Sequence, residues 1–156
     1  MRIFRRIRNL AILELVNIPL WALVWFGVVG LPATAANLVG FAAFALLLVQ
    51  GGVYWLLKLA QLRARRRSLA GAEVFRMLRI ANVPLLAAAL AFTGYAVVAE
   101  PGRGSWLGAG LAALAVLEHV NYFHIQLMHD TLADMRRFGT RGLRRSHLAR
   151  DLAQIT

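Results

Sequence analysis

The sequence predicts an all-helical integral membrane protein, a four-helix bundle built from two transmembrane hairpins. Three observations favour this class. Hydrophobic residues make up 60% of the 156 residues and charged residues 16%, whereas soluble domains average about 45–50% and about 25%. Four separate apolar stretches approach the ~20 residues that a helix needs to cross a bilayer. Positive charge is concentrated in alternate connections, as it is in multi-pass membrane proteins.

The predicted transmembrane domain covers residues 1–130 and contains four spans. These stretches are too long and too uniformly apolar for strands, which usually stop near 10 residues. We place the spans roughly at 10–29, 37–57, 80–99 and 106–127. Residues 131–156 form a basic tail, in which Ser146 is a predicted N-cap. A short amphipathic helix is expected to follow it and to lie on the anionic leaflet, with an acidic protein partner as the alternative.

The basic residues predict the orientation of the spans. The first nine residues hold four arginines, the connection between spans two and three holds seven basic residues, and the tail holds six. Arg103 is the only basic residue in the two other loops, so 17 of the 18 positive charges fall on one side. This distribution predicts a protein of the cell membrane with both termini in the cytoplasm. No nucleic-acid-binding motif accompanies the charge, so nucleic acid is not an expected partner.

The N-terminus has a second interpretation. A basic start, an apolar run and the sequence Ala33-Thr34-Ala35 are together typical of a secretory signal with its cleavage site. The apolar run is of full spanning length and contains Glu14, Asn17 and Pro19. We therefore expect the first span to be retained.

Two short patterns indicate that a two-helix hairpin is repeated. The sequence N-I-P-L-W-A at 17–22 matches N-V-P-L-L-A at 82–87, at an offset of 65. Two helices per unit keep both copies in one orientation, which gives a parallel repeat. A second match, at an offset of 68, pairs Gln50 with Glu118 and Tyr54 with Tyr122.

Prolines and glycines interrupt the apolar spans. Pro19 and Pro84 lie inside predicted helices and leave carbonyl groups that neighbouring donors must satisfy. The segments Gly51-Gly52 and Gly108-Ala109-Gly110 consist of small residues, which predict close contacts between helices.

Polar side chains within the spans are the main clue to function, because ionisable groups inside a membrane are costly and usually functional. The fourth span is the most polar, and Glu118, Asn121 and Tyr122 share one face of its helix. By depth, the polar residues fall in the cytoplasmic half or near the middle, which predicts a site that opens toward the cytoplasm. The predicted ligand-binding residues are Glu14, Asn17, Gln50, Asn82, Glu118, Asn121, Tyr122 and His124.

Three functions are compatible with these residues. The first is binding, and in its fuller form transport, of a small polar or cationic ligand or ion, with carboxylates as binding groups and aromatic residues as walls for a cation. The second is a structural or accessory subunit of a membrane complex, in which polar side chains join helices and a second copy or another membrane protein is the partner. The third is a metal-dependent membrane enzyme.

Composition excludes several kinds of catalytic site. The chain contains no cysteine, so thiolate catalysis, disulfides and iron–sulfur clusters are excluded. No catalytic triad and no phosphate-binding loop is present, and whether the chain is an enzyme stays open. No cofactor is predicted. The one trio of residues that we consider for a metal ion is Glu14, Glu118 and His124.

Overall fold

The computed structural model describes residues 2–126 and 145–153. These residues form helices and no strand, which confirms the predicted all-helical class for the described chain. Outside the helices, an isolated β-bridge joins Ile125 to Arg145. Residues 127–144 and 154–156 lie outside the described residues. They include most of the predicted basic tail and the last residue of the predicted fourth span.

Five α-helices follow one another along the described residues. Three of them, α1 with its continuation, α2 and α3, are long and apolar enough to cross a membrane. α4 has 18 residues, or ~27 Å at 1.5 Å per residue, and ends before the predicted limit of the fourth span. The bounds are Arg2–Ala22 for α1, with a π-helical continuation at Leu23–Val28, Ala35–Arg63 for α2, Ala72–Ala99 for α3, Trp106–Phe123 for α4 and His147–Ala153 for α5.

Local chemistry sets the ends of these helices. The Thr34 hydroxyl accepts a 3.2 Å hydrogen bond from the backbone N–H of Asn37 and caps α2. Pro19 lies inside α1, and the hydrogen bonding changes from α-helical to π-helical one turn later, at Leu23. An interior proline removes a backbone donor, and such a break in the ladder is commonly repaired by a local change of helix type.

α2 is the central helix of the molecule. It packs against α1 on one side and against α4 on another, while α3 packs mainly against α4 and more lightly against α2. α2 and α4 approach most closely at Gly40, where any side chain would overlap the backbone of Gly108. α1 packs almost wholly against α2, and the four-helix bundle stays a prediction.

The two short connections meet at one end of the molecule. The Thr34 hydroxyl, before α2, donates a hydrogen bond to the carbonyl of Gly104, before α4. The Arg103 guanidinium donates to the Val29 carbonyl at 3.0 Å. The connection between α2 and α3, the end of α4 and α5 lie at the opposite end. Among the described residues, Arg103 is the only basic residue near the short connections.

α5 folds back onto the end of the bundle that is opposite the short connections. Its N-cap is Ser146, whose Oγ accepts a 3.0 Å hydrogen bond from the backbone N–H of Ala149. Leu148 and Leu152 are 2% and 5% exposed and belong to the main hydrophobic cluster. Leu148 and Leu152 on the apolar face of this helix therefore pack against the protein, and the predicted contact of the tail with a lipid leaflet stays a prediction.

Candidate functional site

Two adjacent glycines in α2 allow a tyrosine of α4 to reach α1. A methyl group on Gly51 would lie 2.5 Å from Cζ and Oη of Tyr122, and one on Gly52 would lie 2.8 Å from the Leu15 side chain. The Tyr122 ring and the Leu15 side chain therefore occupy the space that a side chain at position 51 or 52 would need. The Tyr122 ring lies across the surface of α2 at Gly51, and its hydroxyl group meets Glu14 on α1.

The residues that this contact brings together form an acidic cluster. The Tyr122 hydroxyl donates a 2.5 Å hydrogen bond to Oε1 of Glu14. Asn121 Nδ2 donates a 3.3 Å hydrogen bond to Oε2 of Glu118, and Glu118 lies within electrostatic range of both Glu14 and Tyr122. Tyr122 is buried and the two glutamates are half-buried. We call these four residues, all predicted from the sequence, the acidic cluster.

The acidic cluster has no compensating positive charge among the residues that the structure describes. No described lysine or arginine forms an ion pair with Glu14 or Glu118. An ionised carboxylate that leaves water without a partner is strongly disfavoured, and it is normally neutralised by a proton or a cation. Chemically, such a pair of carboxylates favours a proton or a cation as the neutralising charge.

Two other predicted residues, Gln50 and Asn82, join α2 to α3. Gln50 Nε2 donates to Asn82 Oδ1 at 3.1 Å, and Asn82 Nδ2 donates to Gln50 Oε1 at 2.8 Å. Both side chains are buried. Each amide satisfies the other, so this pair is a contact between helices and not a vacant ligand site. Asn17, the predicted repeat counterpart of Asn82, is half-buried and has no side-chain partner in the described part of the chain.

His119 and His124, at the end of α4, form no metal site with other described residues. His124 follows the last residue of α4 and is exposed, with its ring centroid 5.6 Å from that of His119. Residues 2–126 and 145–153 contain no group of three His, Cys, Asp or Glu residues that could hold a metal ion. Among the described residues, the structure therefore does not assemble the trio Glu14, Glu118 and His124 that we consider for a metal, because α4 ends at Phe123 and the His124 side chain is exposed.

A second tyrosine forms a similar contact with a carboxylate. The Tyr54 hydroxyl donates a 2.8 Å hydrogen bond to Oδ2 of Asp151, on α5. Lys58 Nζ lies 2.8 and 2.9 Å from the two carboxylate oxygens of Asp151. The side chains of Lys58 and Asp151 are 18% and 11% exposed. Tyr54 is the predicted counterpart of Tyr122, and here the tyrosine–carboxylate pair holds an ammonium group.

The sequence analysis missed Lys58, Asp151 and His119 as candidate residues. Lys58 and Asp151 are 93 positions apart, so no local spacing indicates their contact. The one available signal is that Lys58 follows Tyr54 by one helical turn. His119 is 6% exposed, and neither of its ring nitrogens has a hydrogen-bond partner among the described residues. Helical periodicity places His119 on a different face of α4 from Glu118.

The sequence analysis also missed a buried asparagine at the end that holds the short connections. Asn37 is fully buried, and its Nδ2 donates to the carbonyls of Pro32 and Arg103 at 2.9 and 3.0 Å. Its Oδ1 accepts a 2.9 Å hydrogen bond from the backbone N–H of Gly108. These bonds join the start of α2 to the start of α4. Thr34, three residues earlier, is the local sign that a helix begins here.

Comparison of the chain with family models, with curated proteins and with solved structures finds no match. The geometry of the acidic cluster is therefore the basis for proposing a function.

Proposed function

We propose that this protein binds a small cation, an inorganic ion or a ligand with a cationic group, at the acidic cluster. The observation that carries the proposal is that Tyr122 and its neighbour Asn121 donate hydrogen bonds to Glu14 and Glu118, while neither glutamate has a cationic partner among the described residues. Ionisable groups between apolar helices are expensive and are usually kept for function. In its fuller form the proposal is transport, with a proton replacing the cation in turn.

The Lys58 contact supports a cation as the ligand. The Asp151 carboxylate, which accepts a hydrogen bond from Tyr54, holds the Lys58 ammonium group at 2.8 and 2.9 Å. Tyr122, at the predicted repeat position of Tyr54, donates the corresponding hydrogen bond to Glu14. No described ammonium group lies beside this pair. A carboxylate that accepts a hydrogen bond from a tyrosine thus binds an ammonium group in one place and has no cationic side-chain partner among the described residues in the other.

We further propose that the chain is integral to the cell membrane, with four spans and cytoplasmic termini. Three helices are long and apolar enough to span, and α4 would be the fourth. The short connections lie at one end of the molecule and carry a single described basic residue, Arg103, which suits the outer side. The acidic cluster lies on the opposite half of the helices, where the predicted site opens toward the cytoplasm.

A cation-binding experiment tests the proposed function. Thermal stability of the purified protein in detergent is measured against increasing concentrations of Na⁺, K⁺ and methylammonium, each as its chloride. A cation that binds only the folded protein stabilises it by about 2.7 kcal/mol at 100 times its Kd. We expect at least one of these cations to stabilise the wild type, and Glu14→Gln and Glu118→Gln to abolish that stabilisation.

The matched control is Glu73→Gln. Glu73 is exposed on α3 and pairs with Arg76 at 3.2 Å, so its loss changes the net charge by the same amount away from the acidic cluster. The control variant is expected to keep the stabilisation by cations. If no cation stabilises the wild type, or if all four proteins respond alike, the proposed function is wrong.

The second candidate is a structural or accessory subunit. The reciprocal hydrogen bonds of Gln50 and Asn82 favour it, because they join two helices directly through buried side chains. A purely structural role predicts that Glu118→Gln raises the stability of the protein and that cations have no effect on it. The same measurements therefore separate the two functions.

A further inference from the structure

Four exposed arginines lie close together where α2 ends and the connection to α3 begins. Arg63 is the last residue of α2, and Arg65, Arg66 and Arg67 follow it. None of these four guanidinium groups forms a hydrogen bond or an ion pair within the described part of the chain. We call residues 63–67 the arginine segment. Its like charges repel one another unless an anion from outside the described protein offsets them.

The backbone of the arginine segment is held in place by the protein. Gln61 Nε2, on α2, donates to the carbonyls of Arg66 and Arg67 at 3.3 and 3.2 Å. The backbone N–H of Arg66 in turn donates to the Gln61 carbonyl at 3.0 Å. Two positions beyond the segment, Leu69 is 5% exposed and belongs to the main hydrophobic cluster. The arginines therefore project from a fixed backbone, which lowers the entropy that an anion must overcome to bind them.

One of the four arginines has an unusual backbone conformation. Arg65 has a φ of 51°, and it is the one non-glycine residue with a positive φ among the residues that the structure describes. This left-handed region favours glycine and, after it, asparagine and aspartate. Strained backbone of this kind is found mainly where a particular side chain is needed for function. The arginine at this position therefore favours a role for its charge.

The distance along α2 places the arginine segment beyond the apolar part of the helix. Lys58 is the first charged residue of α2, and Arg63 lies five residues further, or ~8 Å at 1.5 Å per residue. Lipid headgroups occupy about 5–8 Å on each side of the hydrocarbon core. In the proposed membrane placement, the four guanidinium groups thus lie at the level of the headgroup phosphates of the cytoplasmic leaflet. Guanidinium groups bind phosphate through paired hydrogen bonds.

We propose that the arginine segment binds the phosphate headgroups of anionic phospholipids. The inference goes beyond cation binding, but it rests on the proposed membrane placement of the chain. The cytoplasmic leaflet supplies the negative charge that the described protein does not place beside these arginines. Because the backbone of the segment is fixed, it holds an individual headgroup and is not merely attracted to a charged surface. Binding should therefore persist in detergent, where no leaflet is present.

Native mass spectrometry of the full chain in detergent tests the lipid site. Phosphatidylglycerol and phosphatidylcholine with identical acyl chains are titrated, and the bound fraction of each is measured. We expect the wild type to prefer phosphatidylglycerol. Arg66→Gln combined with Arg67→Gln should weaken this binding about thirtyfold, since each basic residue near an anionic lipid contributes about 1 kcal/mol. The matched control, Arg5→Gln with Arg8→Gln, removes two exposed arginines of α1 and should keep the wild-type affinity.

The melting temperature without added lipid checks that the glutamine variants fold. Exposed residues of this kind rarely affect stability, so the wild-type value is expected. If Arg66→Gln with Arg67→Gln melts early, Arg63→Gln with Arg65→Gln provides the same test. The proposal is wrong if the two lipids bind alike, or if a variant that folds keeps its preference for phosphatidylglycerol.

Two competitors distinguish lipid from other sources of negative charge. Inorganic phosphate and polyglutamate are each added at an ionic strength matched with sodium chloride. We expect neither to displace phosphatidylglycerol more than the chloride does. Displacement by phosphate would assign the arginine segment to soluble phosphate, and displacement by polyglutamate would assign it to an acidic protein. Either result would overturn the lipid proposal.

The cation titration separates this inference from the proposed function. Arg66→Gln with Arg67→Gln leaves the acidic cluster unchanged, so cations should stabilise this variant as they stabilise the wild type. A preference for phosphatidylglycerol without any stabilisation by cations would refute the proposed function alone. Labelling of Ser68→Cys by an impermeant maleimide in intact cells would instead refute the membrane placement, and with it a headgroup of the cytoplasmic leaflet as the ligand.

Discussion

At the scale of single residues, the acidic cluster depends on a side chain that is absent. Gly51 leaves the surface of α2 bare under the Tyr122 ring, so the tyrosine hydroxyl reaches Glu14 on the neighbouring helix. The sequence predicts close helix contact at Gly51-Gly52, and the structure confirms it. Which residue fills the space depends on the rotation of α4 about its own axis. Hydropathy fixes that rotation only coarsely, so the partner could not be predicted.

We predict that Gly51→Ala destabilises the protein and separates Tyr122 from Glu14. The added methyl group would overlap the tyrosine ring, and overpacking of this kind typically costs about 1–3 kcal/mol. The free energy of unfolding is measured by titration with SDS. The infrared band of the Glu14 carboxyl group, assigned by its loss in Glu14→Gln, reports whether the hydrogen bond from Tyr122 persists.

Gly110→Ala makes the same chemical change where there is room for it. A methyl group on Gly110, in α4, meets no atom within 4 Å, and alanine is the better helix former by about 0.8–1.0 kcal/mol. No loss of stability is expected there, and the Glu14 band should stay in place. An equal effect of the two substitutions would show that the fit against Tyr122 does not hold the acidic cluster together.

At the scale of helices, the order in space is the one that a duplicated hairpin would produce. α2 and α4 pack together at the centre, α1 lies against α2 and α3 lies against α4. Gly40 and Gly108, where the central helices cross, are separated by the same 68 positions as Tyr54 and Tyr122. The duplication stays a prediction. The two halves differ in detail, since Asn82 pairs with Gln50 whereas Asn17 has no described partner.

We predict that Gln50 and Asn82 are energetically coupled. Replacing either residue by leucine leaves the other amide buried and unpaired, which costs about 1–3 kcal/mol. Replacing both removes the unpaired group, so the double variant should lose less than the sum of the single losses, by about 0.5–3 kcal/mol. The four free energies of unfolding, measured by SDS titration, form a double-mutant cycle that gives this difference.

A second cycle with Thr93 provides the comparison. The Thr93 hydroxyl bonds to the Ala89 carbonyl of its own helix at 2.8 Å, and Thr93 lies about three turns beyond Asn82 in α3. Thr93→Val and Gln50→Leu should therefore have additive effects, since distant sites rarely couple. Additive effects of Gln50→Leu and Asn82→Leu as well would contradict the structural role assigned to their hydrogen bonds.

The sequence predicts helix existence better than helix ends. Apolar length predicts that α1 to α4 exist. It does not predict where they end, because α2 and α3 continue through polar residues such as Lys58 and Glu73. α4 is the exception, since it ends at Phe123 and the backbone N–H of Ser146 then bonds to His124. That contact joins residues 22 positions apart, and no local pattern indicates it. For the same reason, the docking of α5 could not be predicted from its amphipathic face.

At the scale of the whole molecule, the outer surface is apolar over most of α1 and its π-helical continuation. Leu13 and Leu23 are 57% and 62% exposed, and an exposed apolar surface of this extent is typical of contact with lipid. Composition predicts this property well, because it depends on the sum of many residues and not on any one contact. The side of the membrane on which each end lies depends instead on the loops, and it stays a prediction.

We predict that both short connections face the outside of the cell. Ala33→Cys and Pro101→Cys, one exposed residue in each connection, should react with a membrane-impermeant maleimide in intact cells. Ser68→Cys, in the exposed connection between α2 and α3, should react only in inverted vesicles, because the basic residues around it favour the cytoplasm. Leu13→Cys, expected to face lipid, should react in neither. Labelling of Ala33→Cys and Pro101→Cys from opposite sides would mean that α2 or α3 fails to cross, and the four-span topology would then be wrong even though the helices themselves are correct.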